Sequence, residues 1–219
     1  SVEPIRISHH GIEELISNYA VKDDAWGFCT HAQDGASMYH LLFPTEGACW
    51  VFDSTTSVWH ERESLNKGFW NVGAYSRYLS RDIVFQRDGL NVGELDPDTD
   101  TEWGDDLLRS WTYANIYANG KRVIHSELDI YADTGWTDDG YASSLMMLEI
   151  SDDGGETFRG PHSNTTWGTG EYGRRITFHR LGSSRNRVYR ASMTANAKCM
   201  VRGTEARMSQ VLLPMRSEG

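Results

Sequence analysis

The sequence has little of what marks secreted scaffolds, membrane proteins and common enzymes. Cysteine is scarce: Cys29, Cys49 and Cys199 are widely spaced and odd in number, which argues against a disulfide framework or a cysteine zinc site and suits free thiols in a reducing compartment. No run approaches the roughly 18 consecutive apolar residues of a membrane-spanning helix, and the opening SVEPIRISHH lacks the apolar stretch of a secretory signal. HExxH, P-loop and GxSxG patterns, and a GxGxxG in a βαβ setting, are all missing, so no zinc-hydrolase, nucleotide-binding or serine-nucleophile chemistry is implied. The eight histidines form no ligand cluster: His9 and His10 are adjacent and diverge, while His60 and His179 fit strand positions. Neither a metal nor a cofactor is expected. Positive charge is also short, with 21 Lys and Arg against 31 Asp and Glu and a net charge of −10. Such a surface does not condense on phosphate, so a role beside DNA would be containment or conduction.

What is present reads as an all-β protein of antiparallel sheets with one short N-terminal helix. At 219 residues, 39% apolar and 11% aromatic, the chain can bury one large core or two small ones. Ile12, Leu15, Ile16 and Tyr19 share a face at helical spacing, which predicts a packing helix over His9 to Ala20. From Trp26 the period changes to two. Strands at 27–33, 37–44, 48–52 and 58–62, with Asp34-Gly35 as a hairpin turn, predict a four-stranded antiparallel unit. Further strands are expected at 70–78, 82–86 and 91–95, then at 107–114 and 121–131. Asp53, with Trp59 six residues on, is echoed 43 residues later by Asp96, with Trp103 seven residues on; blades of a β-propeller repeat every ~40–50 residues. The expectation is therefore propeller-like blades over 21–140, after an N-terminal segment 1–20 and before a C-terminal β region 141–219.

The polar stretch Ala132 to Tyr141 predicts a long loop, and the acidic run from Asp96 to Asp106 a solvated turn, since it lacks the glycine and terminal glutamate of a calcium loop. Trp50, Trp59, Trp70, Trp103, Trp111 and Trp136 are the expected core anchors. Lys198 to Val201 and Ala206 to Leu213 predict closing strands.

The segment Leu145 to Met193 carries the most specific signals. Ser151, Asp153, Gly155, Thr157 and Phe158 have the Asp-box form Ser-x-Asp-x-Gly-x-Thr-aromatic, which predicts a hairpin tip: the aspartate bonds backbone N–H groups, glycine supplies positive φ, and the aromatic returns to the core. Arg174, Arg175, Arg180, Arg185, Arg187 and Arg190 come next, close together in sequence. They predict one cationic sheet face or turn cluster that balances acidic neighbours and serves as an interface. Sialidases also combine Asp-boxes with arginines, so a carbohydrate-binding β domain or a glycosidase is the alternative; its arginines would have to converge with a carboxylate and a tyrosine in one pocket.

The ordered combination SDDGG-x-T-aromatic, GEYGRR (170–175) and RLG-S-x-R-x-R-V-aromatic-R (180–190), with FPT-x-G-x-x-W-V-aromatic-D (43–53) and WHER (59–62), resembles the packaged-DNA stabilization proteins of P22-like short-tailed bacteriophages. The likeness runs from about Ile7 to Val201, fades from Gly203 onward, where it leaves room for a partner-contacting tail, and suggests a piece cut from a longer protein. It implies a tail hub or nozzle without enzyme activity that closes the portal channel, stabilises packaged DNA and conducts it during ejection. The implied partners are further copies of itself in a ring, a hexamer, together with portal and adaptor proteins, a needle or plug, tailspikes or fibres, and duplex DNA passing through without sequence-specific binding. The implied location is the virion, with assembly in the host cytoplasm.

Overall fold

The structure is a computed structural model and describes residues 3–31, 37–96, 99–133, 135, 145–165, 167–194 and 200–210. The expected Asp34-Gly35 turn, Trp136, Cys199 and most of the expected 132–141 loop lie outside these residues. The chain divides into two compact units, 1–105 and 106–219.

The first unit begins with helix α1, His10–Ser17, whose first turn is capped by His9 Nδ1 accepting from the Ile12 N–H at 3.4 Å. The helix is shorter than its period suggested. Of its apolar face only Ile12 is buried, and Leu15 is exposed. Strands β1 (Trp26–His31), β2 (Ser37–Phe43), β3 (Ala48–Asp53) and β4 (Val58–Glu61) form the expected antiparallel meander, each paired with its successor. A second, three-stranded sheet contains β5 (Val72–Tyr78), β6 (Arg81–Gln86) and β7 (Val92–Glu94), and a small pair contains β8 (Thr101–Glu102) and β9 (Asp105–Asp106).

Alternation sends Phe28, Leu42, Cys49 and Val51 from the first sheet onto Trp70, Val72 and Val84. Phe28 lies parallel to the His40 ring at 4.5 Å and to Tyr75 at 4.1 Å, and His40 in turn stacks on Trp70 at 5.4 Å. Glycine is required at position 93, where a Cβ would sit 2.9 Å from the Trp103 ring. The Asp53 and Asp96 turns are alike, since Asp53 accepts from Thr55 and Thr56, and Asp96 from Thr99. Their tryptophans are not: Trp59 pairs across strands with Phe52, whereas Trp103 sits in a turn at φ 53°. The 43-residue echo therefore records shared turn chemistry, and no sheet among the described residues closes on itself.

The second unit is a sandwich of two antiparallel sheets. One contains β10 (Leu108–Thr112), β17 (Asn186–Thr194), β13 (Leu145–Ser151) and β14 (Arg159–Thr165) in that order, with β11 (Ile116–Tyr117) also on β17. The other is centred on β12 (Val123–Ala132), flanked by β15 (Arg175–His179), β16 (Ser183–Ser184) and β18 (Val201–Gln210). Period-two alternation turns Leu128, Ile130, Ile176 and Phe178 inward from one sheet and Met146, Leu148, Ile150, Tyr189, Ala191 and Met193 from the other. Trp167, fully buried among them, is the anchor of this core and was not among the expected six; of the five of those that are described, only Trp70 is buried.

The expected boundary at 140/141 separates β12 from partners to which it is hydrogen-bonded, so β10 to β12, residues 108–132, belong with the C-terminal strands. Val201–Gln210 is one strand paired with β12 along its length, so 203–210 is integral to the sandwich and not a tail.

Burial among aromatic rings, with Arg62 adding to it, holds His40 down to about 3, and burial with Arg187 beside it holds His125 down to about 4. Both are neutral in the fold and protonate more readily once unfolded. Their contribution is complete above the ordinary imidazole range near 6.5 and is lost as pH falls toward the folded values. Urea unfolding should show His40 costing about 2 kcal/mol by pH 5 relative to pH 7.5. His40→Phe should flatten the slope of the first unit's transition, and an unchanged slope in that variant would contradict the assignment.

Candidate functional site

Hairpin β13–β14 is closed by hydrogen bonds of its own side chains. Asp153 Oδ1 accepts from the Ser151 hydroxyl at 2.6 Å and from the Thr157 N–H at 3.0 Å, and Oδ2 accepts from the Thr157 hydroxyl at 2.5 Å. Ser151 Oγ accepts from the Gly155 N–H at 2.8 Å. Gly154 and Gly155, at φ 89° and 107°, supply the left-handed backbone that the tip requires. These bonds to the ionised form hold the Asp153 carboxyl well below the usual carboxylate range, those from Ser151 and Thr157 foremost. Phe158 does not return to the core. It is half-buried, with the Arg190 guanidinium 3.9 Å from its ring centroid.

The six arginines are dispersed. β15 and β17 lie in different sheets, so Arg175 and Arg190 share no sheet face. Arg187 is 0% exposed, which corrects its expected place at an interface. It has the parity of Tyr189, Ala191 and Met193, the inward residues of β17. Its Nε and Nη2 donate to Asp152 at 2.7 and 3.1 Å, and its Nη1 donates to the Leu181 carbonyl at 2.6 Å. Burial opposes ionisation of Asp152, but the Arg187 and Arg159 guanidiniums outweigh it and lower the carboxyl.

Arg190 points outward and donates to Glu149 at 2.7 Å, its direct cross-strand neighbour. Arg174 donates to Glu171 at 2.6 Å. Arg180 and Arg185 are exposed, and their side chains have no partner among the described residues.

A charged group that the sequence pattern did not bring forward lies on the outer face of the β12 sheet. Register places His179 and Arg207 on either side of Glu127, Thr177 and Glu205 on either side of Asp129, and Arg175 beside Tyr131. Arg207 Nη1 donates to Glu127 at 2.8 Å, and Arg175 Nη1 lies 3.5 Å from Asp129 Oδ2. Thr177 donates to Asp129 Oδ1 at 2.5 Å, and the Tyr131 hydroxyl to Glu205 at 3.2 Å. Asp129 is only 1% exposed because these neighbours cover it. The alternation of Glu127, Asp129 and Tyr131 with apolar 128 and 130 was the available signal. Arginines, carboxylates and a tyrosine do meet here, but the arginines already hold the carboxylates that a glycosidase would leave open to its substrate. No grouping of His, Cys, Asp or Glu among the described residues could hold a metal, and no described helix is long and apolar enough to cross a membrane.

Charge divides between the units. Residues 1–105 carry 7 Lys and Arg against 18 Asp and Glu, whereas 106–219 carry 14 against 13. The whole negative excess therefore resides in the first unit.

Asp152→Ala leaves Arg187 buried without its counterion and should destabilise the sandwich by about 2–4 kcal/mol in denaturant unfolding, with part of the loss recovered in Asp152→Ala/Arg187→Met. A double variant no more stable than the single would contradict this. Asp153→Ala should speed amide exchange at Thr157 and Gly155 while leaving β12 unchanged; slow exchange at both would refute the turn bonding.

No curated protein matches the chain. A family model described as "Bacteriophage P22 Gp10, beta-sandwich" matches residues 110–209, somewhat less than half of the chain. The match begins within β10 and ends within β18, so it coincides with the sandwich. The sandwich of the second unit is thus similar, over residues 110–209, to the family described as the β-sandwich of Bacteriophage P22 Gp10.

Proposed function

We propose that the chain is part of a tail hub or nozzle that assembles as a ring below the portal, retains the packaged genome and conducts it during ejection, without catalysing a reaction. The family match over the sandwich is the observation that carries this reading. The division of charge supports it. A unit with 18 acids against 7 bases repels phosphate, so duplex DNA passing it would slide without electrostatic trapping. The near-neutral sandwich suits subunit contacts. On it Arg180 and Arg185 are exposed, and Arg174, Arg175 and Arg190 are partly so, which makes these five the interface residues of the reading; an acidic first unit of the next copy is their natural counterpart in a head-to-tail ring. Portal and adaptor proteins, a needle or plug, and tailspikes or fibres are the proposed neighbours. The first unit's four-stranded meander is the element from which a propeller blade would be built.

The test is electron microscopy of the purified chain mixed with its phage's portal and adaptor. Closed rings of one symmetry capping the portal are expected, and Arg180→Glu/Arg185→Glu should reduce their yield. A chain that stays monomeric with both partners present would overturn the reading, as would saturable binding in a screen of sialosides and bacterial polysaccharides. In a gel-shift assay at ~0.15 M salt, linear duplex DNA should not be retained; tight retention would contradict conduction past a repelling wall.

A further inference from the structure

The outer face of the β12 sheet differs at its two ends. At one, Arg175 and Arg207 lie against Asp129 and Glu127 of the same face. At the other, β12 pairs with β16, Val123 opposite Ser184 and Ile124 opposite Ser183. One step back along that antiparallel ladder sets Arg122 opposite Arg185, two like charges that repel across the strands. Arg122 turns aside and donates to the Ser183 hydroxyl at 2.9 Å, while the Arg185 side chain has no partner among the described residues. The segments 121–126 and 180–185 run side by side here; they contain Lys121, Arg122, Arg180 and Arg185 and no Asp or Glu. All four cations are exposed, none has a carboxylate partner among the described residues, and Ile124 on the same face is 42% exposed. An apolar side chain among unpaired cations is complementary to an acidic surface that has an apolar side chain of its own.

The first unit has such a surface at its N-terminal end. Residues 3–17 carry Glu3, Glu13 and Glu14 against Arg6 alone. On α1, Leu15 is 47% exposed, and the carboxylate of the adjacent Glu14 has no partner among the described residues. The segment is held in place rather than trailing: the Trp59 indole donates to the Ile7 carbonyl at 3.0 Å, and Arg6 pairs with Glu13. We infer that α1 of one copy docks on this corner of the next copy's sandwich, with Leu15 against Ile124 and Glu14 between Arg122 and Arg185. The exposed apolar side chain on each surface favours a protein over a phosphate backbone. The contact deepens the head-to-tail interface proposed above and rests on that reading for its partner, a second copy of this chain.

The test is sedimentation velocity of the full chain over a concentration series, without portal or adaptor. Concentration-dependent association is expected at ~0.05 M salt and should be suppressed at ~0.5 M, where exposed charges are screened. Arg122→Glu/Arg185→Glu should weaken association about tenfold, and Glu14→Lys by a similar factor. The chain with all three changes should recover most of the affinity, because the charges are then swapped across the contact. Every variant alters exposed side chains, and circular dichroism checks its folding. A wild type that stays monomeric at the lower salt would overturn the inference, as would association indifferent to the Arg122/Arg185 reversal or a triple variant no tighter than the double. Short duplex DNA bound saturably by the wild type and released by the same reversal, with no self-association, would assign the corner to phosphate and overturn it as well. Rings that cap the portal despite such a result would leave the hub reading standing, and salt-sensitive association without capping would leave this contact standing.

Discussion

The pleat of the two central strands, β12 and β17, is the constraint on which the sandwich depends. Each has its sheet partners on both sides, so every second residue must enter the core and the others must meet solvent or a partner. On β12 this gives Leu128 and Ile130 to the core and Glu127, Asp129 and Tyr131 to the outer face. On β17 it gives Tyr189, Ala191 and Met193 to the core, and it takes Arg187 with them. A buried guanidinium is costly unless paired, and Asp152 at the β13–β14 tip supplies the pair. The hairpin turn and the core are thereby linked through one ion pair, and the bonds among Ser151, Asp153, Gly155 and Thr157 hold the tip in the conformation that presents Asp152.

The same constraint explains why the arginines of 174–190 disperse. Arg175 and Arg190 leave their strands on different sheets, and each finds a carboxylate across its own ladder. Short-range pairs of this kind set register and contribute little net stability where solvent reaches them.

Much of the architecture was legible. Alternation located every strand of the first meander to within a residue or two, and it placed β5, β6 and β12. The turn residues around Asp53 and Asp153 announced their hydrogen bonds, because an aspartate beside threonine and glycine has few other ways to satisfy a tight turn. The resemblance in motif order led to the family whose model matches the sandwich. Parity along 186–194 also contained the burial of Arg187, although charge alone assigned it to the surface. Trp167 was overlooked because it sits outside any alternating run, and the apolar face of α1 overstated burial because spacing describes which residues share a face and not whether anything packs against it.

The sequence by itself determined the local terms: strand period, turn chemistry and net charge. These depend on neighbours within a few residues, which the chain carries in order. Only the tertiary structure decided that 108–132 joins the sandwich, that the arginines part company, and that Glu127, Asp129, Arg175 and Arg207 meet on one face. Those outcomes depend on which strands pair across tens of residues, and pairing is settled by the burial of whole faces together, which no single stretch of sequence contains.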